Sequence, residues 1–427
     1  MRTRVCPLFL NWDPAKQDLA ALKAGIHTQV VDYRASYKKY YEEWATADSP
    51  KLRDSNPSVV IVPGVGLFGF GKNKKEARIT TEFFINAIHV MAGANALEDG
   101  DVSHPLPQAR RPEQSRHFTH FHNYVALPRS EAFRIEYWKL EEAKIRRQPA
   151  EKQLSRQIAV IVGGGSGIGR EVALLAAERG AHVVVADRDL TGAETVTGEV
   201  RAIAGKEFAA AVSVDIRNRE TIREALAKAI ATFGGIDILI NTAAIFPASP
   251  DGVITDAQWA LTLDVNVTAN YLLTDEATKP FKEQRLPVNV VLTSSANAVV
   301  AKRGSEAYDV SKAALSHLIR ELAIGLAPLV RVNGISPATV VKGSTMFPRD
   351  RVITSLTKYA IPFEASATDD DLRNLLAGFY AKRTLTHQPI DPKDCAEAIL
   401  FLAGPAARCT TGHLIPVDGG LTEAFLR

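Results

Sequence analysis

From about residue 157 onward, short apolar runs recur along the chain. Stretches whose apolar positions return every three or four residues separate most of them. The runs at 157–162, 182–187, 209–214, 236–240, 288–294, 329–335 and 413–417 predict strands, and the stretches between predict helices. Runs such as Ile158–Val162 (IAVIV) and His182–Ala186 (HVVVA) lack the polar alternation of a half-solvated strand, so they fit a parallel sheet covered on both faces. Strand–helix alternation of this kind predicts an α/β, doubly wound, Rossmann-type domain.

Residues 1–150 read differently. One run, Val59–Gly64, predicts a strand, and helical patterns fall at Pro14–Ala24, Tyr33–Trp44 and Lys75–Met91. Glu98–Arg116 is polar and proline-bearing and reads as a loop or disordered insertion. Glu131–Arg147 predicts one amphipathic helix, acidic early and basic late as the helix dipole favours, ending before Pro149. The boundary therefore falls near residue 150, between a smaller N-terminal α/β region (1–150) and a larger domain (151–427). No internal repeat is evident.

Composition narrows the function classes. A chain of 427 residues allows about two to three domains, and 46 % hydrophobic residues can fill their cores. A net charge of +3 gives no reason to invoke nucleic acid or an anionic membrane. Cys6, Cys395 and Cys409 are too far apart in sequence for a metal-type pair and fit a reducing cytoplasm. The apolar start is broken by Pro7, Asn11 and Asp13, and no run reaches the ~18 apolar residues of a membrane span. The expected partner is a small-molecule substrate.

The first strand of the larger domain runs into Gly163-Gly164-Gly165-Ser166-Gly167-Ile168-Gly169, and a helix follows. Glycines allow a tight turn and close backbone approach to a pyrophosphate, and the free N–H groups at the helix start meet its charge. Asp187 lies 18 residues past Gly169, at the end of the next strand. A carboxylate there accepts the ribose hydroxyls and repels a 2′-phosphate, so NAD is the expected cofactor. The adjacent Arg188 keeps NADP as the alternative. A second glycine string, Gly64-Val65-Gly66-Leu67-Phe68-Gly69, has bulky residues where phosphate would sit and no acid-ended strand after it. It reads as a packing loop.

Tyr308 and Lys312 share a helix face at i and i+4, and Ser295 lies 13 residues upstream, just past a strand. An ammonium beside a phenol favours the phenolate, which can exchange a proton with a substrate oxygen. The Ser295 hydroxyl can hold that oxygen.

These motifs together resemble the short-chain dehydrogenase/reductase family over about 270 residues. Val162–Gly169 matches its glycine motif with Val162 in place of Thr. Asn241-Thr242-Ala243-Ala244 stands where the family has NNAG, and Val417-Asp418-Gly419-Gly420 matches its C-terminal strand. Ala338 follows Pro337 where Gly is usual. The resemblance implies a catalytic set of Ser295, Tyr308, Lys312 and Asn266. It implies cofactor contacts at Gly163, Gly165, Ser166, Gly167, Ile168, Gly169, Asp187, Arg188, Asp215, Ile216, Asn241, Ala243, Tyr308, Lys312 and Pro337. In it, Lys312 also holds the nicotinamide ribose, and Asn266 a water linking Lys312 to solvent; simple backbone bonding by Asn266 is compatible with both. It further implies a homo-oligomer built from helices near 255–282 and 305–326.

Asn241–Trp259, Ser336–Arg351 and Glu131–Arg147 look more closely like the bifunctional rhamnulose-1-phosphate aldolase/short-chain dehydrogenases. That resemblance implies a zinc-dependent class II aldolase ahead of a dehydrogenase that oxidises lactaldehyde. Residues 1–130 align with only its C-terminal portion, so the aldolase part reads as incomplete and no metal site is assigned. His117, His120 and His122 could ligate zinc by spacing, yet they and the isolated His104 read as uncommitted histidines. Substrate choice is expected between Pro337 and Gln388, where Phe347, Phe363 and Tyr380 either line a pocket or simply pack. No cysteine neighbours Ser295 or Tyr308 in sequence, so an aldehyde would be oxidised as its hydrate. The competing readings are a zinc lyase joined to a dehydrogenase and a non-catalytic dinucleotide-binding scaffold.

Overall fold

The structure, a computed structural model, describes residues 3–99, 127–247 and 252–425. The chain divides into two compact units, Met1–Ala150 and Glu151–Arg427.

In the first unit β1 (Leu8–Phe9), β2 (Val59–Val62) and β3 (Gly66–Gly69) form a sheet in that order, β1 parallel and β3 antiparallel to β2. The sequence signals only β2. The second glycine string is therefore a hairpin: Val65 N–H donates to Val62 O at 3.1 Å and Gly64 takes φ +71°. The helix that follows begins only at Lys74, where Asn73 caps its first turn by accepting from Glu76 N–H at 2.9 Å. The two helices expected at Pro14–Ala24 and Tyr33–Trp44 are one, α1 (Leu19–Trp44), capped by the Asp18 side chain on Ala21 N–H at 2.8 Å. Only Gly25 interrupts the pattern, and one glycine costs about 1 kcal/mol, too little to break it. The next helix, α2 (Lys74–Asp99), runs past its expected end.

The single helix expected over Glu131–Arg147 is split into α3 (Arg129–Glu136) and α4 (Lys139–Arg146), with Trp138 extended between them. The break lets Phe133 and Tyr137 stack at 4.7 Å inside a cluster with Tyr37 and Tyr40, while Trp138 and Leu140 face solvent. The buried Glu136 accepts from Arg4 at 3.0 Å and from Tyr37 at 2.7 Å. The polar segment from Gly100 to Arg116, with His104, and the histidines His117, His120 and His122 lie outside the described residues.

The second unit holds β4 (Ile158–Val162), β5 (His182–Asp187), β6 (Ala209–Ser213), β7 (Ile238–Asn241), β8 (Val288–Thr293), β9 (Val330–Pro337) and β10 (Leu414–Val417). They form one parallel sheet in the order β10-β9-β8-β7-β4-β5-β6. The helices are α5 (Gly167–Glu178), α6 (Leu190–Ala204), α7 (Arg219–Phe233), α8 (Asp256–Leu263), α9 (Ala269–Gln284), α10 (Glu306–Leu326), α11 (Arg349–Lys358), α12 (Asp369–Ala381) and α13 (Pro392–Ala403). Strand side chains alternate between two cores. Ala159 and Ile161 pack with α5, α6 and α13, and Val160 and Val162 with α7, α9 and α10. Burial on both faces explains the unbroken apolar runs. Chain order reverses between β4 and β7, which opens a crevice at the carboxyl ends of the strands.

Candidate active site at the carboxyl edge of the sheet

The glycine loop leaves β4 and enters α5 at this edge. Gly163 has φ +74°, and a Cβ there would lie 2.6 Å from Ala243 N; one on Gly169 would lie 2.1 Å from Gly163 O. Only glycine fits either position. Ser166 stands at the α5 N-cap without a side-chain cap bond, so it leaves the first-turn N–H groups open to an anion. The half-buried Asp187, ending β5, accepts from Gly165 N–H at 2.9 Å and Asp189 N–H at 3.0 Å. It thus holds the loop while offering its remaining lone pairs outward. Arg188 beside it is exposed. Asp215 is engaged by Arg217 at 2.6 Å, which holds its carboxyl below the usual range, and Ile216 is buried next to it. A tight turn, an uncapped helix start and a terminal carboxylate are the cradle a dinucleotide requires.

Polar bonds join this loop to the catalytic candidates. Thr242, a departure from the family's asparagine, donates to Val162 O at 3.0 Å and Gly163 O at 3.1 Å. Asn241 accepts from Ala243 N–H at 3.0 Å and donates to Asn270 at 2.8 Å, and Asn270 donates to Asn266 O at 2.9 Å. Asn266 lies in a π-turn, Asp264–Thr268, that inserts one extra residue between α8 and α9. Its amide clamps Ile245 through both backbone groups at 2.9 Å and reaches Ser311 at 3.1 Å. The Asn266 side chain is therefore a staple between the loop after β7 and α10. This is the backbone-bonding role.

Ser295 follows β8, and its Oγ lies 3.4 Å from Pro337 O at the end of β9. Tyr308 and Lys312 sit on α10, with Lys312 Nζ 5.5 Å from the Tyr308 ring centre and donating to Thr293 O at 2.8 Å. Ser295 shares a hydrogen bond with the Tyr308 hydroxyl. Asp309, which the sequence does not flag, fixes α10 to the Ser295 loop by accepting from Asn297 at 2.6 Å, Lys302 N–H at 2.9 Å and Ser305 at 2.8 Å. The expectation that Lys312 lowers the phenol does not hold for the protein alone. Burial pushes Tyr308 up to about 12, outweighing the Ser295 bond, and desolvation pushes Lys312 down to about 7. An amine that sheds its charge near neutrality is a weak lever on a buried phenol.

Sequence reading missed two residues over Tyr308. Phe246 stacks on its ring at 4.5 Å, and Arg351 lies over Phe246 at 4.5 Å. Neither follows from local pattern, since Arg351 and Phe246 are 105 positions apart. Phe347, Phe363 and Tyr380 pack against a small core of α11 and α12, and Tyr380 also lines a cleft. Cys395 is buried in α13 with its thiol pushed up to about 12, which removes it as a nucleophile. Cys409 acts on Arg331, near the start of β9 and roughly 20 Å from Pro337 at ~3.3 Å per residue.

A dinucleotide cradle and a Ser–Tyr–Lys constellation on one sheet edge define a nicotinamide-dependent oxidoreductase. Residues 157–350 match the model of the short chain dehydrogenases, and 359–422 match that described as enoyl-(acyl carrier protein) reductase. Residues 1–145 match the second domain of class II aldolases. The 7alpha-hydroxysteroid dehydrogenase of Escherichia coli is 30 % identical over 275 residues, covering 63 % of this chain and 95 % of that enzyme. The uncharacterized oxidoreductase YuxG of Bacillus subtilis is 32 % identical over 432 residues, all of this chain but 57 % of that protein. This chain therefore spans little more than half of that relative's length. A Brucella melitensis short-chain dehydrogenase/reductase structure, titled glucose/ribitol dehydrogenase, is 26 % identical with a TM-score of 0.53, over 65 % of this chain and all of that one. The chain belongs to the short-chain dehydrogenase/reductase family, and a class II aldolase-like region precedes its dehydrogenase unit. Among the described residues no helix is long and apolar enough to cross a membrane.

Proposed function

We propose that the second unit transfers hydride between NAD and a small hydroxy or carbonyl compound, with Tyr308 as the acid–base group. The observation that carries this reading is the convergence of Ser295, Tyr308 and Lys312 beside the glycine turn, linked through Asn241, Asn266 and Ser311. In the oxidative direction Ser295 donates to the substrate oxygen, and Tyr308, as the phenolate that the positive charge of a bound NAD would favour, takes the hydroxyl proton. Lys312 orients the ribose side of the site, and Asn266 keeps α10 in register. When bound, the nicotinamide accepts the hydride released from the substrate carbon. Gly163, Gly165, Ser166, Gly167, Ile168 and Gly169 would hold the pyrophosphate; Asp215, Ile216, Ala243 and Pro337 would border the rest of the dinucleotide. The Asp187 carboxylate beside Gly165 favours NAD over NADP, because a 2′-phosphate would face its charge.

The resemblance to rhamnulose-1-phosphate aldolase/dehydrogenases makes lactaldehyde, in deoxysugar (rhamnose) breakdown, the leading substrate. One hydroxyl of its hydrate gives its proton to Tyr308, and the carbon bearing both hydroxyls would give its hydride to the nicotinamide, which leaves the acid. Burial of Cys395 supports a route without a thioester. The working form is a cytoplasmic homo-oligomer. The test is an absorbance screen for reduced nicotinamide, with NAD and NADP, against L-lactaldehyde and related alcohols. Absence of turnover across the panel defeats the assignment. The aldolase match favours a second reading, a lyase in the first unit. Stoichiometric zinc in the purified chain supports it, and a metal-free chain removes it.

A further inference from the structure

One cation, Arg351, lies within electrostatic reach of the Tyr308 hydroxyl. Arg351 rests on the Phe246 ring and within 5.5 Å of the Phe347 ring centre, and it donates from Nη1 to Phe246 O at 2.9 Å. One bond leaves most of its five N–H donors unassigned. Two residues earlier, Arg349 bonds Asp369 at 2.7 Å; the groups that act on Arg351 are instead the hydroxyls of Tyr308 and Tyr380. A half-buried guanidinium facing phenols rather than a carboxylate is an incomplete ion pair.

Tyr380 links Arg351 to a neighbouring cleft. It feels both Arg351 and Arg383, and it lines that shallow cleft with Lys302, Arg383, Ala338 and Thr339. Ala338 follows Pro337, whose carbonyl lies against Ser295. The cleft thus opens close to Ser295; Lys302 and Arg383 line it, and Arg383 pairs with Glu423 at 3.4 Å.

We infer that Arg351, with Lys302 along the adjoining cleft, binds an oxyanion of the substrate while Ser295 and Tyr308 hold its reacting hydroxyl. The substrate is then a small hydroxy acid or hydroxy phosphate rather than a neutral alcohol. This rests on the hydride-transfer reading but not on lactaldehyde, which is neutral. Guanidinium recognises carboxylate and phosphate by the same paired donors, so both are candidates.

The full-length wild type, Arg351→Lys and Arg351→Gln are compared with NAD and three probes: L-lactate, glycerol phosphate and neutral propylene glycol. NADH binding is followed separately by fluorescence. An anionic probe is expected to exceed the neutral one in kcat/KM by about 10-fold or more in wild type. Arg351→Gln should lose about 10- to 100-fold on that anion, chiefly through KM, with part restored in Arg351→Lys. The better of lactate and glycerol phosphate identifies the oxyanion. A wild type that prefers propylene glycol, or equal losses on charged and neutral probes, overturns the inference and leaves Arg351 as a tether for Phe246. Failure of wild type to bind NADH overturns the hydride-transfer reading and this inference with it, whereas turnover of lactaldehyde but of neither anionic probe overturns this inference alone.

Discussion

Replacing Lys312 with methionine should stabilise the cofactor-free protein while abolishing turnover. Lys312 is 1 % exposed, and burial lowers its amine from the ordinary 10.5 to about 7. At about 1.36 kcal/mol per pKa unit, that fall corresponds to roughly 4–5 kcal/mol of desolvation cost carried by the charged form. The unfolded chain keeps this amine protonated up to 10.5, whereas the folded protein sheds the proton near 7. Folding therefore releases a proton between those values, and stability rises with pH across that window. The full cost is present below about 7 and vanishes above 10.5. Methionine fills comparable volume without a charge, but it forfeits the bond to Thr293 O, worth about 1 kcal/mol. The net expectation is a gain of about 3 kcal/mol near neutrality, read by urea denaturation of both proteins without cofactor, with the gap closing as pH approaches about 10. A variant that is equally or less stable near neutrality, or a gap indifferent to pH, would refute the account of the buried amine.

Two further substitutions probe the cofactor cradle. Gly169→Ala places a methyl 2.1 Å from a backbone carbonyl, so it should cost about 1–3 kcal/mol and weaken NADH binding at least roughly tenfold, measured by thermal unfolding and fluorescence titration. Unchanged NADH affinity would mean that the turn does not seat the cofactor. Asp187→Ala removes the charge facing a 2′-phosphate and should move the ratio of NAD to NADP kcat/KM toward NADP by about 10-fold or more. A ratio that stays put assigns the selection to Arg188 or another group.

The second unit was legible because its strands are buried on both faces, which writes them as unbroken apolar runs. Glycine-loop placement was legible for a related reason: Gly163 and Gly169 sit where a Cβ meets backbone, so the sequence has no freedom there. The first unit hid more. Its β1 is two residues long and β3 is Gly-Leu-Phe-Gly, with glycines at both ends of only two side chains, so neither has a periodicity to detect. The break at Tyr137–Trp138 reflects aromatic packing against α1, a tertiary preference that overrides helix propensity. At the site, residue types were readable but not their electrostatic balance. Spacing puts Lys312 near Tyr308, yet only the fold shows that burial dominates both groups. Phe246, Asp309 and Arg351 act through contacts between distant segments or through a loop geometry that no local pattern encodes.

Tyr308 is proposed to move the proton during hydride transfer on this fold. The most direct test of this role is formation of reduced nicotinamide by wild type and Tyr308→Phe, with NADH affinity measured on the same preparations. Turnover should fall by at least about 10²-fold in the variant with NADH binding nearly unchanged. Turnover within a few-fold of wild type in the phenylalanine variant would contradict that role.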